Sequence, residues 1–254
     1  MIEFRDVHKS FGSQKVLQGI DFRVERGESF YIVGTSGAGK SVIIQQIVGI
    51  LQPDQGDILV DGQSVATLSE KEFYPIRRKC ALVFQNGTLL DSMTAAENVA
   101  FPLLYHGQVT RRDAQDHARL MLGQVEMLEY ADTYPGELGD GMRKRVAIAR
   151  AMATDPEMIL FDEPTTSLDP VNARRIDRLM KQLSVERGIT SIVVSHDIEV
   201  SSRSPTVWQC CTTVASMRWV RQLSGWHPRI LLSLNFSMVV PMGLWSPLSC
   251  LPKI

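Results

Sequence analysis

At 254 residues the chain suits one large domain, or one domain carrying a subdomain. A net charge of −1 supplies no basic field for nucleic acid, and no run of about 18 apolar residues reads as a membrane span. Four cysteines without paired spacing argue against zinc and against a disulfide framework. Met1–Phe4 reads as a charged strand start and carries no signal-peptide pattern, so a reduced, cytoplasmic compartment is expected.

The first strong signal is the apolar run Phe30–Val33, which predicts a buried strand, followed by a helix over Val42–Leu51. Between them stand Gly34, Thr35, Ser36, Gly37, Ala38, Gly39, Lys40 and Ser41. That octapeptide fits the phosphate-loop pattern at every fixed position and has the strand-then-helix context the pattern requires. Glycine lets the backbone wrap closely around phosphate oxygens, with its N–H groups turned inward, and the helix N-terminus adds favourable partial charge. Lys40 is expected to reach the β- and γ-phosphates of a nucleotide, and the Ser41 hydroxyl to ligate Mg²⁺. Val42 occupies a position where Thr or Ser is common, and little effect is expected from it.

Cys80–Phe84 reads as a short apolar strand ending at Gln85. From Thr94 to Tyr130 the pattern turns helical, with Val99–Leu104 and Ala114–Leu128 as its apolar stretches. Met158–Phe161 is a second buried strand, ending in Asp162 and Glu163. An apolar parallel strand with acids at its carboxyl end suits a nucleotide site, with Asp162 holding Mg²⁺ and Glu163 polarising the attacking water. About 120 residues separate Ser41 from Asp162, too many for a minimal nucleotide fold. A helical subdomain over about 90–150, inserted into the core, is the simplest account.

Taken in order, these motifs resemble the ATPase subunit of ABC transporters, and the resemblance covers residues 1–200. It implies an α/β P-loop NTPase with a mixed or parallel core sheet, an antiparallel N-terminal β portion and the inserted helices. It implies that Phe11 stacks on adenine and that Gln85 senses Mg²⁺ and couples to a membrane permease. Leu138-Gly139-Asp140-Gly141-Met142 stands where the family has its signature, with Gly139 in place of the usual Ser and Asp140 in place of Gly. Ser167-Leu168-Asp169 matches the D-loop, and His196 matches the histidine that contacts the γ-phosphate. Two copies are then expected head to tail, each ATP lying between one phosphate loop and the other copy's signature. The pair would sit on the cytoplasmic face of the inner membrane, docked to the permease through the helical subdomain and Gln85. Two unit charges about 6 Å apart at an effective dielectric near 20 repel by roughly 3 kcal/mol, so either Asp140 points away into solvent or it weakens ATP-driven closure.

Within the family, Val83–Leu90, Asn98–Leu103 and Gly141–Ala147 are similar to ATPases of Mla-type lipid transporters, which work with MCE-domain proteins. A non-functional, truncated gene product is one alternative, favoured by Asp140 and by the composition after residue 200. Soluble ABC ATPases are the competing class. They usually carry two ATPase units or a coiled-coil insert, and neither is visible here.

Composition breaks near residue 200. Residues 201–254 hold no Asp or Glu, yet hold all four tryptophans and three of the four cysteines. Back-translation and a one-base shift force Ala from Trp208/Gln209, Leu from Cys210/Cys211 and Gly from Trp219/Val220. Codon degeneracy then permits a DRVAMLHDGRI-like run, the continuation expected of the family. Residues 201–254 are therefore read as an out-of-frame tail. A membrane-binding tail is the weaker reading, because Ile230–Trp245 is broken by Ser233, Asn235, Ser237 and Pro241.

Overall fold

The computed structural model describes residues 1–107, 109–196 and 208–209. The chain opens on two long strands, β1 (Ile2–Phe11) and β2 (Gln14–Val24), joined by a tight turn at Gly12. They pair antiparallel, and β1 also pairs antiparallel with β4 (Gln55–Val60), which carries the short β5 (Gln63–Ser64). Along β1, Ile2 and Phe4 face inward by alternation, and a register shift between Phe4 and Val7, with Asp6 at φ 46°, resets the phase so that Val7 faces inward too.

The second sheet is parallel, in the order β6 (Cys80–Val83), β7 (Met158–Asp162), β8 (Thr190–Ser195), β3 (Ser29–Val33), β9 (Trp208–Gln209). β7 and β3 are almost continuously apolar, and β8 is buried along its whole length around the apolar Ile192–Val194, because both faces are covered. Of residues 201–254, only the backbone of Trp208–Gln209 is described, paired parallel with β3. The rest of the expected out-of-frame tail lies outside the described residues.

Two apolar cores result. One joins the antiparallel sheet to α1 (Lys40–Ile47), α2 (Glu70–Lys79) and one face of the parallel sheet. The other joins the opposite face to α3 (Ala95–Tyr105), α4 (Arg111–Gln124), α5 (Asp140–Met152) and α6 (Pro170–Arg187). Three of these helices, α3 to α5, lie between β6 and β7 in the chain. The helical stretch expected over Thr94–Tyr130 is two helices, because Gly107 at φ 68° breaks it and Thr110 caps the second. α1 is shorter than expected: Gly39, left-handed at φ 82°, sets its start, and Gly49 at φ 70° follows its end. No helix among the described residues is long and apolar enough to cross a membrane.

Candidate functional site

Strands β3, β7 and β8 end at one edge of the parallel sheet, and their following loops build a cleft of about 720 Å³. It is lined by Phe11, Val16, Thr35, Ser36, Gly37, Gly39, Lys40, Ser41, Val42, Gln85, Glu163, Thr166 and His196. Its size is that of a small-molecule site.

The floor is the phosphate loop. Gly37 and Gly39 take φ of 78° and 82°, which side chains rarely adopt, and a Cβ on Gly39 would stand 2.7 Å from Val16 Cγ1. Backbone N–H groups can therefore approach an anion there with nothing between. Lys40 is buried, and its Nζ donates to the carbonyls of Gly34 and Thr35, each at 2.9 Å. Ala38 is buried beneath the loop. Phe11 is half exposed at the cleft mouth, with Lys9 Nζ 5.7 Å from its ring centre.

At the end of β7, Ser41 Oγ donates to Asp162 Oδ1 at 2.8 Å. Burial pushes the Asp162 carboxyl up from its usual range; the Ser41 hydrogen bond opposes this, and Glu163 adds to it. Two hard oxygen donors beside a phosphate loop fit Mg²⁺, which takes few protein ligands and completes its shell with phosphate and water. Glu163 sits at φ 50°, and backbone strain of this kind concentrates at working sites. Its Oε2 accepts from Thr166 Oγ1 at 2.7 Å and lies 2.5 Å from His196 Nδ1. Lys40 Nζ is 3.5 Å from Glu163 Oε1. Burial pushes this carboxyl up, but the bonds from Thr166 and His196 and the nearby cations bring it below its ordinary 4.5.

Gly139, Gly141 and Asp169 do not line this cleft. Gly139 caps α5, and a Cβ on it would meet nothing within 4 Å. Gly141 packs so closely on Asn172 that a Cβ would stand 2.9 Å from Asn172 Cγ. Asp169 caps α6, accepting from the backbone of Val171 and Asn172 and from Asn172 Nδ2. Asp140, expected to turn to solvent or to repel phosphate, is ion-paired with Arg143 one turn along α5.

Three residues of consequence escaped the sequence reading. Thr166 is one, its hydroxyl holding Glu163. Val16, whose side chain closes on Gly39, is another. The third is Asn98, wholly buried, which accepts from Leu90 N–H and donates to the carbonyls of Leu90, Met93 and Thr94. It fixes the loop downstream of Gln85. A polar residue inside an apolar helical run was the available signal.

A parallel sheet with a phosphate loop after β3, an acidic pair after β7 and a histidine after β8 defines a P-loop nucleotide-binding domain. The chain belongs to the ABC transporter family, whose model matches residues 17–166. It is 38% identical over 200 residues to the methionine import ATP-binding protein MetN of Rhizobium johnstonii, covering 79% of this chain and 55% of the relative. It is 35% identical over 204 residues to the probable ribonucleotide transport ATP-binding protein mkl of Mycobacterium leprae, covering 80% and 59%. The chain thus spans little more than half the length of these relatives. Among solved structures it is similar to a dimeric ATP-binding cassette in a post-hydrolysis state bound to ADP and Pi. The TM-score is 0.80 at 32% identity, over 89% of this chain and 100% of that one. A component of the cbiONQ ABC transporter complex of Clostridium perfringens gives a TM-score of 0.75 at 28% identity, over 82% and 83%.

Proposed function

We propose that this protein is the ATP-hydrolysing subunit of an ABC transporter, acting as a head-to-tail pair of copies beneath a membrane permease. The observation that carries the reading is Glu163, a carboxylate at the cleft edge, locked by Thr166 and His196 beside the Ser41–Asp162 pair. Mg²⁺-ATP would supply a polarised γ-phosphoryl group. Gly34 to Ser41 would cradle its phosphates, Ser41, Asp162 and Gln85 would hold the ion, and Phe11 would stack on the base. Glu163 would orient water and accept its proton, while His196 would hold Glu163 in place and face the γ-phosphate. Gly139, Gly141 and Asp169, which stand outside the chain's own cleft, would serve the second copy's nucleotide.

Glu163→Gln tests this. The variant keeps the shape and loses the base, so nucleotide binding should persist while phosphate release falls by roughly 10²-fold or more. It should also trap an ATP-dependent dimer, measured by light scattering. Near-native turnover would remove Glu163 from the mechanism.

The permease surface we assign runs from Phe84, exposed next to Gln85, to α3, where Phe101, Leu104 and Tyr105 are exposed and the rings of Phe101 and Tyr105 stack at 6.1 Å. Neighbouring exposed apolar side chains on one helix suit a binding surface. For the cargo we take a lipid delivered with an MCE-domain partner, on the likeness of residues 83–90, 98–103 and 141–147 to Mla-type subunits. Methionine is the second reading, favoured by the names of the MetN relatives. ATPase stimulation of the permease complex by phospholipid-loaded MCE protein, against methionine with its binding protein, separates the two. The working domain we assign is 1–200, with 201–254 read out of frame. Genomic DNA across the codons for Val200 to Gln222 decides that, and an early stop in the shifted frame would end it.

A further inference from the structure

Between α5, α6 and the loop after α4 lies a cavity of about 50 Å³ that shares no lining residue with the cleft. One water needs about 10–15 Å³ of such space, so a group of several heavy atoms fits. Val125 and Leu179, both buried, give it an apolar wall. Arg145 of α5 and Arg175 and Arg178 of α6 line it as cations.

Arg145 is only 8% exposed, and a buried cation needs partners. Its Nη1 donates to the carbonyls of Val125 and Glu126 at 3.1 and 3.0 Å. Its Nε and Nη2 have no hydrogen-bond partner among the described residues. Glu126 Oε2 stands 3.8 Å from Nη1, but that side chain is 75% exposed, so water screens it. Arg175 and Arg178, one turn apart and exposed, make no hydrogen bond or ion pair among the described residues. Burial lowers the Arg145 pKa and repulsion from Arg175 lowers it further, while Glu126 and Tyr130 oppose the shift. Three guanidiniums against one carboxylate leave the lining with a net charge of +2.

We propose that this cavity binds a phosphate group, as the free ion or at the end of a small molecule. A phosphate ester near pH 7 carries a charge of about −1.5 to −2, which balances the lining. Guanidinium forks meet its oxygens in pairs, which point charges cannot do. Arg145 is pinned by two carbonyls before any ligand arrives, so little freedom is lost there on binding. The apolar wall keeps part of the field from water. Arg175 and Arg178 are exposed, which leaves room for the rest of a small molecule to extend into solvent. The bound group would tie α5 and the loop after α4, both inserted between β6 and β7, to α6, which lies outside that insertion. Binding then stabilises the folded chain by mass action. The site goes beyond the ATPase reading and does not depend on it.

The test uses the full chain with Mg²⁺ and a saturating non-hydrolysable ATP analogue, so that the phosphate loop is filled. Inorganic phosphate and glycerol 3-phosphate are added in turn at about 20 mM, against sodium chloride of matched ionic strength. At least one of them should raise the melting temperature by roughly 2–4 °C over the chloride control. The tighter binder by titration calorimetry tells the free ion from the ester. Acetate should shift the melting temperature less, and an equal shift would overturn the assignment to phosphate. Arg175→Gln with Arg178→Gln changes two exposed positions outside the cleft. This double variant should keep its melting temperature without phosphate, lose the phosphate shift and bind at least roughly tenfold more weakly. Lysine at both positions keeps the charge without the forks and should fall between. Arg145→Met should also lose the shift, and if it does not fold the double variant decides alone. Equal phosphate shifts in wild type and double variant overturn the site, as does a wild type that responds to neither phosphate. If the ATP analogue does not bind, the ATPase reading fails, and the comparison with the double variant still decides the site.

Discussion

The cleft and the first turn of α5 both belong to the motif set of an ATP-binding cassette, and they are built to opposite standards. In the cleft the lysine, the serine and the acid that would meet phosphate, metal and water are each held by hydrogen bonds from within the chain. Lys40 is held by two carbonyls, Ser41 by Asp162, and Glu163 by Thr166 and His196. At the first turn of α5, Gly139 faces open space and Asp140 is exposed and held only by its neighbour Arg143. A surface finished within one chain needs internal partners, because unpaired buried polar groups are expensive. A surface that a second copy would finish, as proposed above for this turn, would stay open until that copy arrives.

The sharpest way to break this comparison is one substitution made in both places. Gly39→Ser forces a side chain into a left-handed conformation and against Val16. The backbone alone costs roughly 1–2 kcal/mol, before any contact is counted. We expect nucleotide binding to fall below detection by fluorescence titration. Gly139→Ser has φ −67° and free space around its Cβ, so melting temperature and ADP affinity should be unchanged. It also restores the hydroxyl usual for the family, so ATP-driven dimerisation should strengthen. Equal damage from both would show that the signature turn is as tightly determined as the phosphate loop.

Much of this was legible in the sequence, for physical reasons. β3 and β7 are buried on both faces and so read as apolar runs, and the phosphate loop is a fixed pattern of residue types. α2 was not read, because Glu70–Lys79 is mostly charged and buries only Phe73 and Ile76. The ends of α1 depend on left-handed glycines, which periodicity does not register. Arg145 was hidden most thoroughly. A cation on a helix reads as solvated, and its carbonyl partners lie 20 and 19 residues away in the chain. The turn of Asp140 toward Arg143 is a choice of side-chain rotamer, which no residue pattern encodes.

The finished half has one flaw, and repairing it sharpens the contrast. Gln46 lies on α1 behind the phosphate loop, almost wholly buried, and neither its Oε1 nor its Nε2 has a hydrogen-bond partner among the described residues. A buried unsatisfied amide costs about 1–3 kcal/mol. Gln46→Leu replaces it with a side chain of similar size among Ile43, Ile47 and their neighbours. Urea denaturation should show a gain of about 1–2 kcal/mol. ATP turnover should not change, because Gln46 does not line the cleft. A loss of stability would mean that the amide has a role in the core that its surroundings do not reveal.

The smallest effect is expected at Asp140. Taken alone, its carboxylate would repel a bound phosphate by roughly 3 kcal/mol at about 6 Å. Its pairing with Arg143 cancels most of that field, and the side chain is 58% exposed, so water screens the remainder. The carboxylate also sits in the first turn of α5, where negative charge favours the helix by about 0.3–1 kcal/mol. Asp140→Gly therefore removes a small penalty and a small support together. It also frees Arg143, which donates in addition to the Leu138 carbonyl and stays in place. Sedimentation with ATP in a Glu163→Gln background should show dimerisation tightened by less than about tenfold, equivalent to about 1.4 kcal/mol. Asp140→Asn, which keeps the contact to Arg143 without the charge, should fall between. A gain beyond about a hundredfold would mean that the carboxylate leaves Arg143 on closure and meets the second copy's phosphate directly. The first turn of α5 would then be a brake on closure, and Gly139→Ser alone would not release it.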